Sequence, residues 1–442
     1  MSVLPSIGIP LERHGADHDE FDATARALPG DQPPHRPAAV IVCHGMGQQV
    51  EFETLSLVAD AVWRRQSAEP LADAPVRVRY VAFDDQWHPR VEMTLGTPDG
   101  RTREVHFYEA YWAPLTEGRV RLGRVLAFLA SALVRGVRYV VRGSFDRWMF
   151  GARQPFALPR RTLLPLVTAG AVFVAVMASG VLFAVFALRQ LLALGGIGAL
   201  DVRDAPPVTL AALAAGLMTF AALRWCLVQS VGDVCAYISA HEASQFADIR
   251  RRIRAMARML ARNVYGSRVP GRSAHEYADV VIVGHSLGSV IAYDMLNDVI
   301  NRDLLLASIP GGAAPMNVVE RTALLLTIGS PLDKTAFLFR TQKDDAPVRE
   351  TLAAAVQPMI VSYANRPRRW INIWSRRDWV SGPLDFYDAR PVPPLFAARA
   401  VENLREPRAP LDPVRAHTGY WMRPTLGAVL YDALTAIAVT KD

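Results

Sequence analysis

The pentapeptide Gly-His-Ser-Leu-Gly at residues 284–288 is the segment of this sequence with the clearest chemical meaning. It follows a mostly apolar run at residues 279–283 and precedes a helix-like segment at residues 289–296. A strand, a sharp turn and a helix around Gly-x-Ser-x-Gly form a nucleophile elbow, which presents the serine hydroxyl above the end of the strand. Flanking glycines let the backbone crowd into that turn. The pattern predicts a nucleophilic Ser286; the alternative is an ordinary turn.

A nucleophilic serine needs a general base to take its proton. In chains that carry this elbow, the acid and then the histidine of the catalytic triad follow the serine. Of the ten histidines, only His417 lies C-terminal to Ser286. It lies in a loop-like stretch at residues 415–421, shortly after two prolines. His417 is therefore the predicted base, and the alternative is a surface histidine with no catalytic role.

The acid of the triad is chosen by position, because fourteen carboxylates lie between Ser286 and His417. Asp378 follows a β-branched and aromatic run at residues 369–374. Functional groups gather at the carboxyl ends of parallel strands, so this position favours Asp378. Asp333 follows a similar run and is the alternative acid. Either carboxylate could instead bind loop amides or an arginine.

A further strand is predicted at residues 38–43, and a glycine-containing loop, His-Gly-Met-Gly-Gln-Gln, follows it at residues 44–49. Acyl transfer requires hydrogen-bond donors for the oxyanion, and a loop at a strand end can supply backbone amides. His44 is interpreted as a brace for this loop, because His417 already fills the role of base.

Five motifs together resemble the α/β-hydrolase superfamily, in particular its lipase-like bacterial serine esterases. They are the runs HGMGQQ (44–49), GHSLGS (284–289), TIGSPLD (327–333), IWSRRDWVSG (373–382) and HTGYW (417–421). The resemblance covers residues 38–115 and 235–435. It implies an α/β fold with a doubly wound, mostly parallel sheet. It further implies an oxyanion hole formed by the N–H groups of Met46 and Leu287, ester hydrolysis through an acyl-enzyme, and no metal or organic cofactor.

A long insertion separates the two matching regions and contains two uncharged runs. Residues 162–188 hold no charged side chain in 27 positions, enough to cross about 30 Å of hydrocarbon as a helix. A second run, extended to residues 205–228, starts at two prolines and contains one arginine near its end. We interpret the two runs as a transmembrane helical hairpin. The alternative is a pair of buried core helices, which fits the second run better than the first.

The positive charge of the chain is almost entirely arginine, since lysine occurs at only three positions and the net charge is +7. Arginines cluster before the first apolar run and after the second, which predicts that both flanks lie in the cytoplasm. The resemblance to bacterial esterases implies that the membrane is a bacterial inner membrane. Residues 120–142 place five arginines within about 100° of a helix surface and read as an interfacial helix on anionic lipid. The alternative is a core helix with a solvated arginine face.

Four parts of the chain follow from these features. They are a mobile lead-in (1–37), the first part of a hydrolase domain (38–119), the membrane insertion (120–234) and the second part of the domain with the elbow (235–442). The predicted function is a membrane-anchored serine hydrolase that cleaves a carboxylic ester, with the bilayer and an ester or lipid substrate as partners.

Other functions on the same fold stay open. One is an acyltransferase or thioesterase with the same triad; another is a catalytically dead binding or scaffold protein anchored in the membrane. Nucleic acid is not an expected partner, because the basic residues are not interleaved with aromatic residues and no known module is present. The sequence leaves the oligomeric state open.

Overall fold

The computed structural model describes residues 34–47, 49–66, 76–83, 86–116, 143–157, 244–310, 315–341 and 355–436, together with isolated residues between 130 and 237. The strands are β1 (His35–Cys43), β2 (Arg77–Phe83), β3 (Gln86–Gly96), β4 (Thr102–Ala110), β5 (Ser144–Met149), β6 (Ala152–Ala157), β7 (Asp279–His285), β8 (Thr322–Ile328), β9 (Trp370–Trp374) and β10 (Val401–Arg405).

The α-helices are α1 (Glu53–Gln66), α2 (Ser244–Gly266), α3 (Leu287–Ser308), α4 (Val318–Arg321), α5 (Leu332–Thr341), α6 (Pro358–Val361), α7 (Pro413–Thr418) and α8 (Pro424–Thr435). Short 3₁₀ helices cover Ala113–Leu115, Tyr363–Asn365, Asp385–Tyr387, Pro394–Arg399 and Gly419–Met422.

Eight strands form one mixed sheet in the order β10-β9-β8-β7-β1-β4-β3-β2. The neighbours from β10 to β4 are all parallel, whereas β3 is antiparallel to both β2 and β4. The predicted α/β fold with a mostly parallel sheet is therefore confirmed. Strands β5 and β6 pair with each other as a separate hairpin.

Helices cover both faces of the sheet, and this explains why β1 reads as one continuous apolar run. Ala39, Ile41 and Cys43 point into a core formed with residues of α2 and α3. The alternate residues of β1 point into a second core formed with α1 and α8. A strand buried on both faces shows no alternation of apolar and polar residues.

Strand β1 lies where the direction of chain winding reverses. After β1 the chain builds β2, β3 and β4 on one side of it, and β7 to β10 follow on the other side. In open α/β sheets the ligand crevice lies outside the carboxyl ends of the strands at such a switch point. The segments that begin at His44 and at Ser286 leave the sheet there, and both carry predicted site residues.

One sequence-based boundary differs from the structure. Strand β1 begins at His35, because His35 pairs with Arg103 and the carbonyl of Pro37 accepts the N–H of Ala278. Residues 35–37 therefore belong to the sheet and not to the predicted lead-in, and residues 1–33 lie outside the described part of the chain.

The stretch around His417, predicted as a loop, is helix α7 followed by a 3₁₀ helix. Pro413 occupies the first turn of α7, where proline needs no hydrogen-bond donor, and the Asp412 side chain accepts the N–H of Val414 at 2.9 Å. The proline that suggested a loop in fact begins the helix.

The predicted interfacial helix 120–142 and the predicted spans 162–188 and 205–228 lie outside the described residues, apart from isolated positions. Among the residues that the structure describes, no helix combines the length and the apolar character that crossing a bilayer requires.

One part of the predicted insertion is described and was not expected from the sequence, namely the hairpin β5–β6. Its turn is attached to the main body by a hydrogen bond from Phe150 N–H to the carbonyl of Ile360 at 2.8 Å. Arg147 of β5 donates to the carbonyls of Phe386 and Asp388. This segment therefore packs beside the α/β body.

Candidate active site

Ser286 lies between β7 and α3 in a strained backbone conformation. Its φ is 53° and its ψ is −128°, values that residues other than glycine seldom adopt. Its N–H donates to the carbonyl of Ile328 at 2.9 Å, which ties the turn to the end of β8. Strain of this kind persists only where the surrounding structure holds it, and it is concentrated at functional sites.

The two glycines of the pentapeptide allow α3 to begin close to the sheet. A Cβ at Gly288 would lie 2.2 Å from the carbonyl oxygens of both Cys43 and His44, at the end of β1. A Cβ at Gly284 would lie 2.5 Å from Cα of Ser289. Any larger residue at either position would push the turn away from the sheet, so the elbow depends on both glycines.

The structure brings Ser286, His417 and Asp378 together. Oγ of Ser286 lies 2.9 Å from Nε2 of His417, and Nδ1 of the same ring lies 3.0 Å from Oδ2 of Asp378. The network assigns the proton on the ring to Nδ1, which donates to the carboxylate and leaves Nε2 to accept the serine proton. The side chain of His417 keeps 13% of its surface exposed, whereas Ser286 is 1% exposed.

Asp378 is buried and still strongly acidic. Burial by itself would raise its pKa, but hydrogen bonds from His417, Ser381 and Tyr420 outweigh burial and lower the pKa to about 2. Oδ1 accepts the N–H groups of Val380 and Ser381, and the Tyr420 hydroxyl donates to Oδ2 at 2.9 Å. The carboxylate is therefore ionised at neutral pH and faces the imidazole N–H.

The loop after β1 is braced by His44, as the sequence predicted. Nδ1–H of His44 donates to the carbonyl of Gly45 at 2.8 Å, and Nε2 accepts the N–H of Trp112 at 2.9 Å. The imidazole stacks on the Trp112 ring with 4.7 Å between centroids. Burial lowers the pKa of His44 to about 4, so the ring stays neutral and keeps both bonds.

The two predicted oxyanion donors are the backbone amides of Met46 and Leu287. A Cβ at Gly45 would lie 3.2 Å from Cβ of Ser286, so the loop after β1 approaches the serine one residue before Met46. Leu287 is the first residue of α3, and its N–H has no carbonyl one turn earlier in the helix to receive it. Within the described part of the chain, neither N–H donates to a backbone carbonyl.

Asp333, the alternative acid, is not part of the His417 network. It lies in the first turn of α5, where its Oδ1 is buried without a hydrogen-bond partner in the described structure. Burial of the carboxyl group and the nearby charge of Asp385 raise its pKa well above the usual value. Both effects favour the neutral carboxyl group, which does not suit the partner of an imidazolium.

Two neighbours of the triad were not identified from the sequence. The hydroxyl of Tyr420 contacts Asp378 and also lies 3.2 Å from Oγ of Ser381. His285 contacts the backbone of His417. Both residues lie inside quoted motifs, GHSLGS and HTGYW, but only the packing of β7 against the chain after α7 shows what they touch.

One group of possible metal ligands occurs among the described residues, on β3 and β4. Ligand atoms of Glu92, Glu104 and His106 lie within 4.8 Å of one another. Glu92, however, already pairs with Arg90 at 2.6 Å and with Arg79 at 3.2 Å. Two guanidinium groups on the same carboxylate oppose a second cation, so we interpret the group as an ion-pair network.

Comparison with known proteins identifies no relative of this chain, since no family model, curated protein or solved structure matches it.

Proposed function

We propose that this protein is a serine hydrolase of the α/β-hydrolase type that cleaves a carboxylic ester through an acyl-enzyme. One observation carries the proposal. Ser286 Oγ lies 2.9 Å from His417 Nε2, and the opposite ring nitrogen lies 3.0 Å from a buried, ionised Asp378. A hydroxyl, an imidazole and a carboxylate in this order are the groups that nucleophilic acyl transfer requires.

In the first step, Nε2 of His417 takes the proton of Ser286 as Oγ bonds to the ester carbonyl carbon. The C=O electron pair moves onto oxygen and gives a tetrahedral intermediate. Asp378 stabilises the imidazolium, because its negative charge faces Nδ1–H. When the intermediate collapses, the bond to the alcohol oxygen breaks and His417 returns its proton to the leaving alcohol.

The amides of Met46 and Leu287 hold the oxyanion of this intermediate. Met46 lies in the loop that the bonds of His44 to Gly45 and Trp112 hold in place. Leu287 is the first residue of α3 and is held by that helix. Donors already in place before the reaction cost no reorganisation when the charge develops. A water molecule, deprotonated by His417, then attacks the acyl carbon and releases the acid and free Ser286.

The substrate class follows from the proposed membrane anchor. Residues 162–188 and 205–228 form a transmembrane hairpin, with the α/β domain on the cytoplasmic side of a bacterial inner membrane. The isolated described residues support this interpretation: Val174 and Met218 are helical and expose 61% and 66% of their surface. Apolar side chains exposed on uncharged helices are expected to face lipid. An ester-bearing lipid that diffuses in the bilayer is the substrate class that this anchor favours.

A fluorophosphonate probe tests the nucleophile, because it phosphonylates serines that a neighbouring base activates. We expect detergent-purified full-length protein to be labelled and Ser286→Ala to remain unlabelled. Ser308→Ala, at the exposed end of α3, serves as the matched control and should label like the wild type.

Labelling that persists in Ser286→Ala would refute the proposed nucleophile. A wild-type protein that is folded and yet unlabelled would favour the catalytically dead scaffold. Products formed with added alcohol or thiol acceptors would identify a transferase.

A further inference from the structure

His285, the residue before the proposed nucleophile, reaches across to the helix that carries the proposed base. Its Nε2 lies 3.0 Å from the backbone carbonyl oxygen of His417, 132 residues further along the chain. Since a carbonyl only accepts, Nε2–H of His285 is the donor. The two imidazole rings also pack together, with 5.0 Å between their centroids. The centroid of the Trp421 ring lies 4.9 Å from that of the His285 ring.

The carbonyl that His285 binds is one that α7 itself leaves unpaired. Helix α7 has six residues, and the last carbonyls of a helix have no intrahelical partner. His417 is the fifth of these residues, so its carbonyl depends on a group from outside the helix. A side chain of the nucleophile elbow provides that group.

The ring of His285 is suited to a permanent donor role. Burial, together with the neighbouring His417, lowers the pKa of His285 to about 3. The neutral ring therefore keeps its single N–H on Nε2 across the neutral and mildly acidic range. The proton cannot be passed on through this bond, because an amide carbonyl is not a proton acceptor under these conditions.

Helix α7 has only six residues and lies at the surface. Val414 and Arg415 in its first turns are exposed. The bonds of the His417 ring to Ser286 and Asp378 hold the side chain. The bond from His285, the residue next to Ser286, holds the backbone of His417 as well.

We propose that His285 is a positioning residue that holds the backbone of His417, and so sets the distance between the base and Ser286. The inference rests on the proposed function, because it assigns His285 a role in the same reaction. His285 does not touch the substrate in this role and acts through His417 alone.

Two substitutions separate hydrogen bonding from packing. His285→Phe keeps an aromatic ring against Trp421 but has no donor. His285→Gln loses the ring but carries an N–H at nearly the position of Nε2. The measured quantity is the second-order rate constant of fluorophosphonate labelling of the full-length protein in detergent. His275→Phe, at a half-buried histidine away from the site, is the control.

We expect a fall of about 10- to 100-fold for His285→Phe, because a misplacement of about 1 Å in a reacting group costs roughly this much. His285→Gln should stay within about fivefold of the wild type, since general-base catalysis survives where the base stays in place. If His285→Phe does not fold, His285→Asn replaces it, because its shorter amide cannot reach the carbonyl.

Three outcomes decide the matter. Slow labelling of the Phe or Asn variant with rescue in Gln supports the proposal. Equal labelling of all variants, or a loss in Gln as large as in Phe, overturns the positioning role and leaves the proposed function standing. An unlabelled wild type overturns the proposed function, and the role of His285 with it.

Discussion

The carboxyl group of Asp378 is buried and yet ionised, because four donors surround it. They are the N–H groups of Val380 and Ser381, the ring N–H of His417 and the hydroxyl of Tyr420. Each of these bonds favours the charged form over the neutral form. The arrangement keeps a negative charge opposite the imidazole, where nucleophilic catalysis needs it.

The choice between the two candidate acids can be tested directly. Asp378→Asn should lower the rate of ester hydrolysis by about 10³- to 10⁴-fold, because the amide no longer stabilises the imidazolium or selects the required tautomer. Asp333→Asn should leave the rate unchanged, since His417 bonds to Asp378 instead and burial favours the neutral form of the Asp333 carboxyl group. A larger loss in Asp333→Asn than in Asp378→Asn would reverse the assignment.

Tyr420→Phe removes one of the four donors to Asp378, together with the 3.2 Å contact between the Tyr420 hydroxyl and Oγ of Ser381. We expect it to lower the free energy of unfolding by about 1.5–3 kcal/mol, because the lost bond goes to a charged group. Tyr431→Phe, which loses a bond of similar length to the carbonyl of Gly96, should cost about 1 kcal/mol. Chemical denaturation at pH 7 measures both variants, and equal losses would contradict the special role of Tyr420.

At the scale of the elements, the site exists because several strand ends meet at one edge of a parallel sheet. Ser286 follows β7, Asp378 follows β9, and the loop of Met46 follows β1. Between them, Gly329 after β8 donates its N–H to the carbonyl of Ile373 at 3.0 Å. The approach of α3 to β1 sets how far Ser286 lies from the loop that begins at His44.

Gly288→Ala tests this approach. Its Cβ would meet two backbone oxygens of the β1 end at 2.2 Å. Backbone atoms cannot rotate away, so we expect a loss of unfolding free energy above the ~1–3 kcal/mol typical of overpacking. Gly382→Ala is the control, since no atom lies within 4 Å of its Cβ position. A Gly288→Ala variant as stable as Gly382→Ala would show that α3 does not lie as described.

At the scale of the whole molecule, two neutral histidines lie in the interior near the site, His44 and His285. Burial lowers their pKa values to about 4 and about 3. At pH values between these lowered pKa values and the usual pKa near 6.5, the two histidines bind more protons in the unfolded chain than in the folded one. Stability therefore falls as the pH drops below about 6.5. Asp378, whose pKa is lowered to about 2, loses its contribution only at lower pH, between about 4 and 2.

The free energy of unfolding should thus be lower at pH 5 than at pH 7 by about 2 kcal/mol for each of these histidines. His285→Gln removes one titrating group and keeps the donor, so the difference between the two pH values should shrink by about 2 kcal/mol. Denaturant titrations at both pH values check this. An unchanged difference in the variant would mean that folding does not lower the pKa of His285.

Membrane insertion also belongs to this scale. Val174 lies near the middle of the first proposed span, where an arginine costs about 2.5–3.5 kcal/mol. Val174→Arg should therefore lower the fraction of protein that stays in the membrane pellet after an alkaline carbonate wash. Val361→Arg, at an exposed position of the α/β domain, should leave that fraction unchanged. Equal retention of both variants would argue against a span at residues 162–188.

The sequence alone determined the features that depend on short-range patterns. The elbow around Ser286 is recognisable because the strand, the glycines and the helix are contiguous. The buried strands read as apolar runs, since both of their faces lie in a core. His417 was singled out by chain order, which needs no knowledge of distances.

Only the tertiary structure decided which distant groups touch. Asp378 and Asp333 follow similar strands, and nothing local distinguishes the carboxylate beside His417 from the one buried near Asp385. The contacts of His285 and Tyr420 span 132 and 42 residues. Such bonds depend on the order of strands in the sheet and on the path of α7, and these are set by the packing of the whole core rather than by any one segment.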